Sequence, residues 1–190
     1  MHPAIRFAFL WAMAGRLFAQ PFAVRDTTGS VHTSAEWSGH PAIVLFFVAP
    51  ECPLSNGYVP EMNRIQEAYG KRGVLVYAIL PDSDALPDAA ARYASDYRYA
   101  FPMLLDREQA LVRLAGATVT PQAAVLSSEG KVLYLGRIDN RVEDFGKRRT
   151  QVTSTDLRDA LDAVLAGKPV ARPHMKSIGC AIPQTQGDKQ

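Results

Sequence analysis

The chain offers two side chains able to form and break bonds to sulfur, Cys52 and Cys180. A cysteine reacts as its thiolate, so its surroundings decide whether it does chemistry or only packs. Cys52 lies in P-E-C-P, between Pro50 and Pro53. Before it runs P-A-I-V-L-F-F-V-A at 41–49, continuously apolar, β-branched and aromatic. Such a run reads as a strand buried on both faces of a sheet. After it, Val59, Met62, Ile65, Gln66 and Tyr69 recur at helical spacing, with Pro53 placed to open the helix. Cys52 therefore falls at the carboxyl end of a buried strand and in the first turn of a helix. Unpaired N–H groups and the positive end of the helix dipole lower a thiol pKa there. Reactive groups of open α/β sheets also gather at that end of the strands. A buried, inert cysteine is the competing reading, since free cysteines are among the most buried residues. The strand-to-helix position and the flanking prolines favour the reactive one.

Cys180 lies in I-G-C-A-I-P, thirteen residues beyond Gly167. Extended chain of that length spans about 40 Å at roughly 3.3 Å per residue, so Cys180 can reach Cys52 and resolve it after reaction. A static disulfide or a free tail thiol are the plainer readings. Both cysteines, His174 and Met175 are also soft ligands suited to copper(I). That reading makes the chain a metal-binding or non-catalytic domain. Locally, however, it offers one thiolate, because the fifth position of a C-x-x-x-C motif is Asn56. His174 reads as a solvated tail residue, and His32 and His40 as ordinary loop or strand histidines. Two cysteines are too few for a disulfide scaffold or a four-thiolate zinc site.

The elements that must position Cys52 follow from the same patterning. Residues 22–28 and the V-H-T at 31–33 are short strands joined by a turn at Gly29, and 74–80 is a second buried strand. Residues 84–97 are helical, with Pro87 in the first turn; 102–105 form a short strand and 107–114 a short helix ended by Gly116. Two strands at 122–127 and 131–138 flank S-S-E-G as a hairpin. The last helix is 155–166, with Ser154 or Thr155 as its cap, Leu157, Leu161, Val164 and Leu165 on its apolar face, and Gly167 at its end. The expectation is an α/β domain over 20–167, a central mixed sheet with a βαβ half and a C-terminal β-hairpin plus helix. Residues 168–190 read as an extended tail carrying Cys180. Lys147, Arg148 and Arg149 read as a solvated loop, Arg137 and Asp139 as a surface ion pair, and Tyr93, Tyr97 and Tyr99 as core and rim.

The composition, 47% hydrophobic and 21% charged over 190 residues, is that of a chain with a packed core. Arg6 and Arg16 are two of its 21 basic residues, so without segment 1–19 basic and acidic residues balance at 19 each. A neutral domain has no field to hold a phosphate backbone, which argues against nucleic-acid binding. Segment 1–19 is basic, then apolar over 7–15, then closes on small residues at Ala19, the pattern of a cleavable export signal. Its apolar run is shorter than the roughly 20 residues of a membrane span. The expected destination is the periplasm or the exterior, where a thiol pair has a redox role.

The stretch V-L-F-F-V-A-P-E-C-P-L-S-N-G-Y-V-P-E-M, with the later V-T-P before a hairpin, resembles the thioredoxin-like superfamily. It is nearest the redoxin branch, which includes alkyl hydroperoxide reductase/thiol-specific antioxidant proteins and exported thiol-disulfide oxidoreductases. The resemblance covers roughly residues 21–166. It implies that Cys52 is the nucleophile, that Pro60 is the helix proline eight residues on, and that Pro121 is a cis-proline facing the thiol. Thr120, Pro53 and Arg137 then border the substrate, and Ser55 stands where a C-x-x-C motif has its second cysteine. The buried acid of some thioredoxins falls at Phe46, and the peroxide-polarising Thr and Arg of peroxiredoxins fall at Ala49 and Pro121. Peroxidase activity is therefore expected to be weak, with Ser55 or Arg137 as the available substitutes. The expectation is an exported thiol-disulfide oxidoreductase needing no cofactor and no metal. Its partners are a thiol or disulfide, on a protein or a small molecule, and an external reductant.

Overall fold

The computed structural model describes residues 22–183. The central run forms β3 (Ile43–Phe47), following a hairpin of β1 (Ala23–Arg25) and β2 (Val31–Thr33) and a short 3-10 turn at Ser34–Trp37. Helix α1 (Pro53–Gly70) leads to β4 (Leu75–Leu80), α2 (Pro87–Asp96), β5 (Met103–Leu105) and α3 (Ala110–Ala115). Next come β6 (Val119–Thr120), β7 (Gln122–Leu126), β8 (Val132–Gly136), the hairpin of β9 (Val142–Asp144) and β10 (Lys147–Arg148), and α4 (Asp156–Leu165). The described chain closes with β11 (Cys180–Ala181).

Five strands make the main sheet in the order β5-β4-β3-β7-β8. The first three run parallel, and β7 and β8 are antiparallel to their neighbours. This is the thioredoxin-like mixed sheet with flanking helices and a closing hairpin and helix. Side chains alternate faces along a strand, so β3 contributes to two separate cores. Val44 and Phe46 pack with Tyr58, Met62 and Ile65 of α1 and Leu157 and Leu161 of α4. Ile43, Leu45 and Phe47 pack with Trp37 and with Leu111 and Val112 of α3. All five β3 residues are fully buried, which is why the sequence shows an unbroken apolar run rather than an alternation. Truncating Phe46 to Ala would cost about 3–5 kcal/mol.

Several local expectations are corrected. Helix α3 begins at Ala110 rather than near 107, because the Asp106 carboxylate accepts from the Leu111 and Val112 N–H groups and Gln109 turns at positive φ. Thr155 is the N-cap of α4, but neither it nor Ser154 bonds the backbone there. Their hydroxyls donate instead to Asp159 at 3.0 Å and Asp156 at 3.0 Å. Arg137 and Asp139 do not pair with each other. Arg137 binds the buried Asp156 at 2.7 Å, while Asp139 holds Arg141 and accepts from the Tyr58 hydroxyl at 2.8 Å. Lys147 and Arg148 form the outer strand of the β9–β10 hairpin rather than a loop, with Lys147 and Arg149 both on Glu143.

The segment after α4 runs along the domain. His174 bridges Leu135 at the β8 edge, with Leu135 N–H donating to Pro173 O and Met175 N–H to Leu135 O. Ile178 then packs on the first core and Ile182 enters the second. The export-signal segment 1–19 lies outside the described residues, and among these no helix is long and apolar enough to cross a membrane.

Candidate active site

The register of β3 against β7 builds the site. Phe47 faces Gln122 across the antiparallel pair, so the chain leaving β3 and the chain entering β7 meet at the same end of the sheet. There Cys52 and Thr120, 68 positions apart, come together, and the Cys52 thiol donates to the Thr120 carbonyl oxygen at 3.0 Å. The Thr120–Pro121 bond is cis, as the resemblance implied. On the other side of Thr120, β11 pairs antiparallel with β6, with Cys180 opposite Thr120 and Ala181 opposite Val119. Three segments distant in sequence thus converge on one backbone position.

Cys52 is the N-cap of α1, with Pro53 in its first turn. Its own N–H donates to Ala49 O at 3.1 Å, and its carbonyl accepts from Asn56 N–H at 3.2 Å. Burial pushes the thiol pKa up, but hydrogen bonds from the Cys180 thiol and the Ser55 backbone more than offset this, and the result is a fall from 9.0 to about 7. Cys180 moves the other way, to about 11, through burial, its hydrogen bond to Cys52 and the Cys52 charge. The Thr120 carbonyl favours Cys52 as a thiol; Cys180 and Ser55 favour it as a thiolate. Both cysteines are free, Cys52 fully buried and Cys180 partly exposed.

The remaining candidates divide. Ser55 is buried, and its hydroxyl accepts from Ala49 N–H at 3.4 Å, bracing the strand-to-helix turn. Pro53 borders a cavity of about 310 Å³ with Leu54, Phe145, Arg148 and Cys180. Thr120 borders another, of about 280 Å³, with Pro50, Cys52, Cys180 and Ile182. Pro121 and Arg137 line a third, of about 370 Å³, with Tyr58, Glu143 and Lys176. Arg137 is committed to Asp156 and lines neither of the cavities that Cys180 borders. His174 is exposed at the β8 edge, and Met175 packs on the first core, whereas Cys180 sits on β6. Among the described residues no group of three or more His, Cys, Asp or Glu could hold a metal ion.

Sequence reasoning missed Asn56 as a brace. Its amide donates to Pro50 O at 2.9 Å and its carbonyl accepts from the Tyr93 hydroxyl at 2.8 Å, which also bonds Tyr99. The Tyr93 pKa rises to about 12, chiefly from burial, with added repulsion from Tyr97, Cys52 and Glu51. A polar residue in the first turn of a helix that starts at a buried cysteine was the available signal. Gly179 was also missed; a Cβ there would lie 2.7 Å from the Thr120 carbonyl carbon and closer still to its oxygen.

A buried thiol at the head of α1 beside a cis-proline on this sheet defines a thioredoxin-like redox protein. The redoxin family model matches residues 13–151, and the chain belongs to that family. The crystal structure of a hypothetical protein from Sinorhizobium meliloti 1021 superposes with a TM-score of 0.76 at 31% identity, covering 90% of this chain and 94% of that one. A putative thiol:disulfide interchange protein DsbE from Chlorobium tepidum gives 0.54 at 26% identity, over 62% of this chain and 81% of the other. The thiol-disulfide oxidoreductase ResA of Bacillus thuringiensis subsp. konkukian is 24% identical over 115 residues, 60% of this chain. The match spans 65% of that relative's length.

Proposed function

We propose that the protein is a thiol-disulfide oxidoreductase in which Cys52 attacks and Cys180 resolves. The observation that carries this reading is the meeting of the two cysteines at Thr120, whose carbonyl accepts from the Cys52 thiol while Cys180 pairs opposite it, both cysteines bordering one cavity. In keeping with it, the Cys52 pKa falls to about 7 and that of Cys180 rises to about 11. At neutral pH the Cys52 thiolate attacks one sulfur of a substrate disulfide. A mixed disulfide forms and the other substrate sulfur leaves as a thiolate. With Cys52 now uncharged, part of what held the Cys180 pKa up is gone. Cys180 loses its proton to the departing thiolate and attacks the Cys52 sulfur, releasing the reduced substrate and leaving a Cys52–Cys180 disulfide. An external dithiol or pair of thiols then reduces that bond, taking up the oxidising equivalents. No metal or cofactor enters the balance. Ser55 removes the usual local partner, which gives the tail cysteine its task.

Mass mapping of the oxidised protein should find Cys52 linked to Cys180, and Cys180→Ser should accumulate Cys52 as a mixed disulfide with substrate. Wild-type turnover by Cys180→Ser with the same reductant would remove Cys180 from the cycle. With Ala49 and Pro121 in place of a peroxide-polarising pair, sulfenate formation by hydrogen peroxide should run near the rate of a free thiolate. Export to the periplasm or beyond, after cleavage near Ala19, belongs to the same proposal. It is tested by the N-terminus of the mature protein, since retention of Met1 on soluble cytoplasmic material would defeat it.

A further inference from the structure

Resting on the reading of Cys52 as the nucleophile, we infer that the β6 edge is a docking groove for an extended polypeptide strand with glycine directly before its cysteine and an aliphatic residue two positions after it. Tail residues 178–182 are the groove's resident occupant. The tail lies there as a partner strand would. It is antiparallel to β6 with Cys180 opposite Thr120, and the Ile182 N–H donates to Thr118 O at 2.9 Å. Backbone pairing of this kind gives affinity independent of sequence, and side-chain pockets add selectivity. Three positions of the occupant are read by the protein. At 179 there is no room for a side chain, because a Cβ would press into the Thr120 carbonyl. At 180 the cysteine lies opposite Thr120, whose carbonyl accepts from the Cys52 thiol, and it borders the same cavity as Cys52. At 182 the isoleucine is buried in the second core, 8% exposed.

The same contacts make the tail a competitor. Cys52 has no exposed surface while β11 is seated, and disulfide exchange needs a sulfur approaching along the line of the bond that breaks. A client strand must therefore replace residues 178–182. The exchange is easy in structural terms, because β6 and β11 are two residues each. Cavities lie on both sides of Cys180, one bordered by Pro81, Asp82 and Pro183 and the other by Leu54 and the exposed Phe145. A longer strand can continue into them.

The test applies one substitution to each side of the competition. Peptides Ile-Gly-Cys-Ala-Ile and Ile-Val-Cys-Ala-Ile are prepared as mixed disulfides with thionitrobenzoate, and offered to the wild-type protein and to Gly179→Val. Attack by Cys52 on the peptide sulfur breaks one S–S bond, forms another and expels coloured thionitrobenzoate, so electrons balance without a further reactant. With Gly179→Val, whose own tail no longer fits, the glycine peptide should react at least tenfold faster than the valine peptide. It should also react faster with this variant than with wild type. Equal rates for the two peptides would overturn the inference while leaving Cys52 a nucleophile. Inertness toward a small aromatic disulfide would instead strike the oxidoreductase reading. Docking alone is read without thiol chemistry by titrating Gly179→Val with Ile-Gly-Ser-Ala-Ile and following the Val119 and Thr120 amide resonances. Shifts absent from the valine analogue support the groove, and no shift with either peptide overturns it. Ile182→Asp, which unseats the tail from its other anchor, should reproduce the faster reaction of the glycine peptide; failure to do so counts against the inference.

Discussion

Helices α1 and α3 both follow a parallel strand of the sheet, and each begins with a buried acidic group at its head, Cys52 in one and Asp106 in the other. The two groups respond in opposite directions. Asp106 accepts from the Leu111 and Val112 N–H groups at 2.9 and 3.0 Å, yet burial outweighs those bonds and raises its pKa, and its Oδ1 has no hydrogen-bond partner. Cys52 is as deeply buried, yet its pKa falls to about 7. The difference lies in the donors. Asp106 is served by backbone amides of its own helix, whereas Cys52 also receives a thiol from a strand 128 positions later. A helix terminus alone therefore does not lower the pKa of a buried acid here; the tail and Ser55 supply the difference. Asp106 is spent on shaping a turn, whereas in the proposed cycle Cys52 is the sulfur held ready for exchange.

The largest expected effect is on chemistry at the first of these sites. Cys52→Ser should lower disulfide exchange by about three orders of magnitude or more, since a hydroxyl does not form the nucleophile at neutral pH. Asp106→Ala should leave the rate per folded molecule unchanged. A comparable loss in both variants would show that the two helix heads are not functionally distinct.

Cys180→Ala removes the donor that sets Cys52 apart. The pH midpoint of Cys52 alkylation should move up from about 7 toward the ordinary thiol range, and the thiolate fraction at pH 7 should drop several-fold. The tail change also uncovers Cys52, so the midpoint, not the rate, is the quantity to read. An unmoved midpoint would return the credit to the helix.

At the second site, Asp106→Ala strands two N–H groups and should cost about 1–3 kcal/mol in denaturant unfolding. Asp106→Asn keeps an acceptor and should cost less. Because the folded pKa of Asp106 is raised, its contribution is full below the unfolded value near 3.8 and is lost as pH rises through the folded value. The advantage of Asp over Asn should therefore shrink from acid toward neutral pH.

The smallest effect carries the comparison to a third group. His32 sits between Asp26 at 3.1 Å and Glu36 at 2.9 Å, with Tyr77 donating to Glu36. Burial pushes the His32 pKa down, but its bonds to Asp26 and Glu36 win and raise it above 6.5. Its contribution to stability is present below about 6.5 and lost as pH rises through the folded value, while Asp26 and Glu36, both lowered, lose theirs in acid. The difference in melting temperature between wild type and His32→Gln should accordingly narrow from pH 6 to pH 8. A difference independent of pH would mean that the ring only packs against Tyr77.

How much of this was legible in the chain differs from element to element. The unbroken apolar run at 41–49 and the proline after Cys52 determined a buried strand, a helix start and a cysteine at their junction. These are local matters of burial and backbone stereochemistry. The periodicity of α1, α2 and α4 and the turn at Gly130 likewise follow from neighbouring residues alone. Local pattern failed where a side chain reached outside its own segment. Asp106 moved the start of α3, Asp156 took Arg137 away from Asp139, and Asn56 braced Pro50. The sequence also showed that Cys180 has the length to reach Cys52, and that Ser55 leaves it without a nearer partner. Only the tertiary structure decided that it arrives. A two-residue strand has too little pattern to be seen in sequence, and its place is fixed by its pairing with β6 and by the absence of a side chain at Gly179. The pKa difference between the two thiols belongs to that meeting, because each shift has the other cysteine among its causes and segments far apart in sequence bring them together.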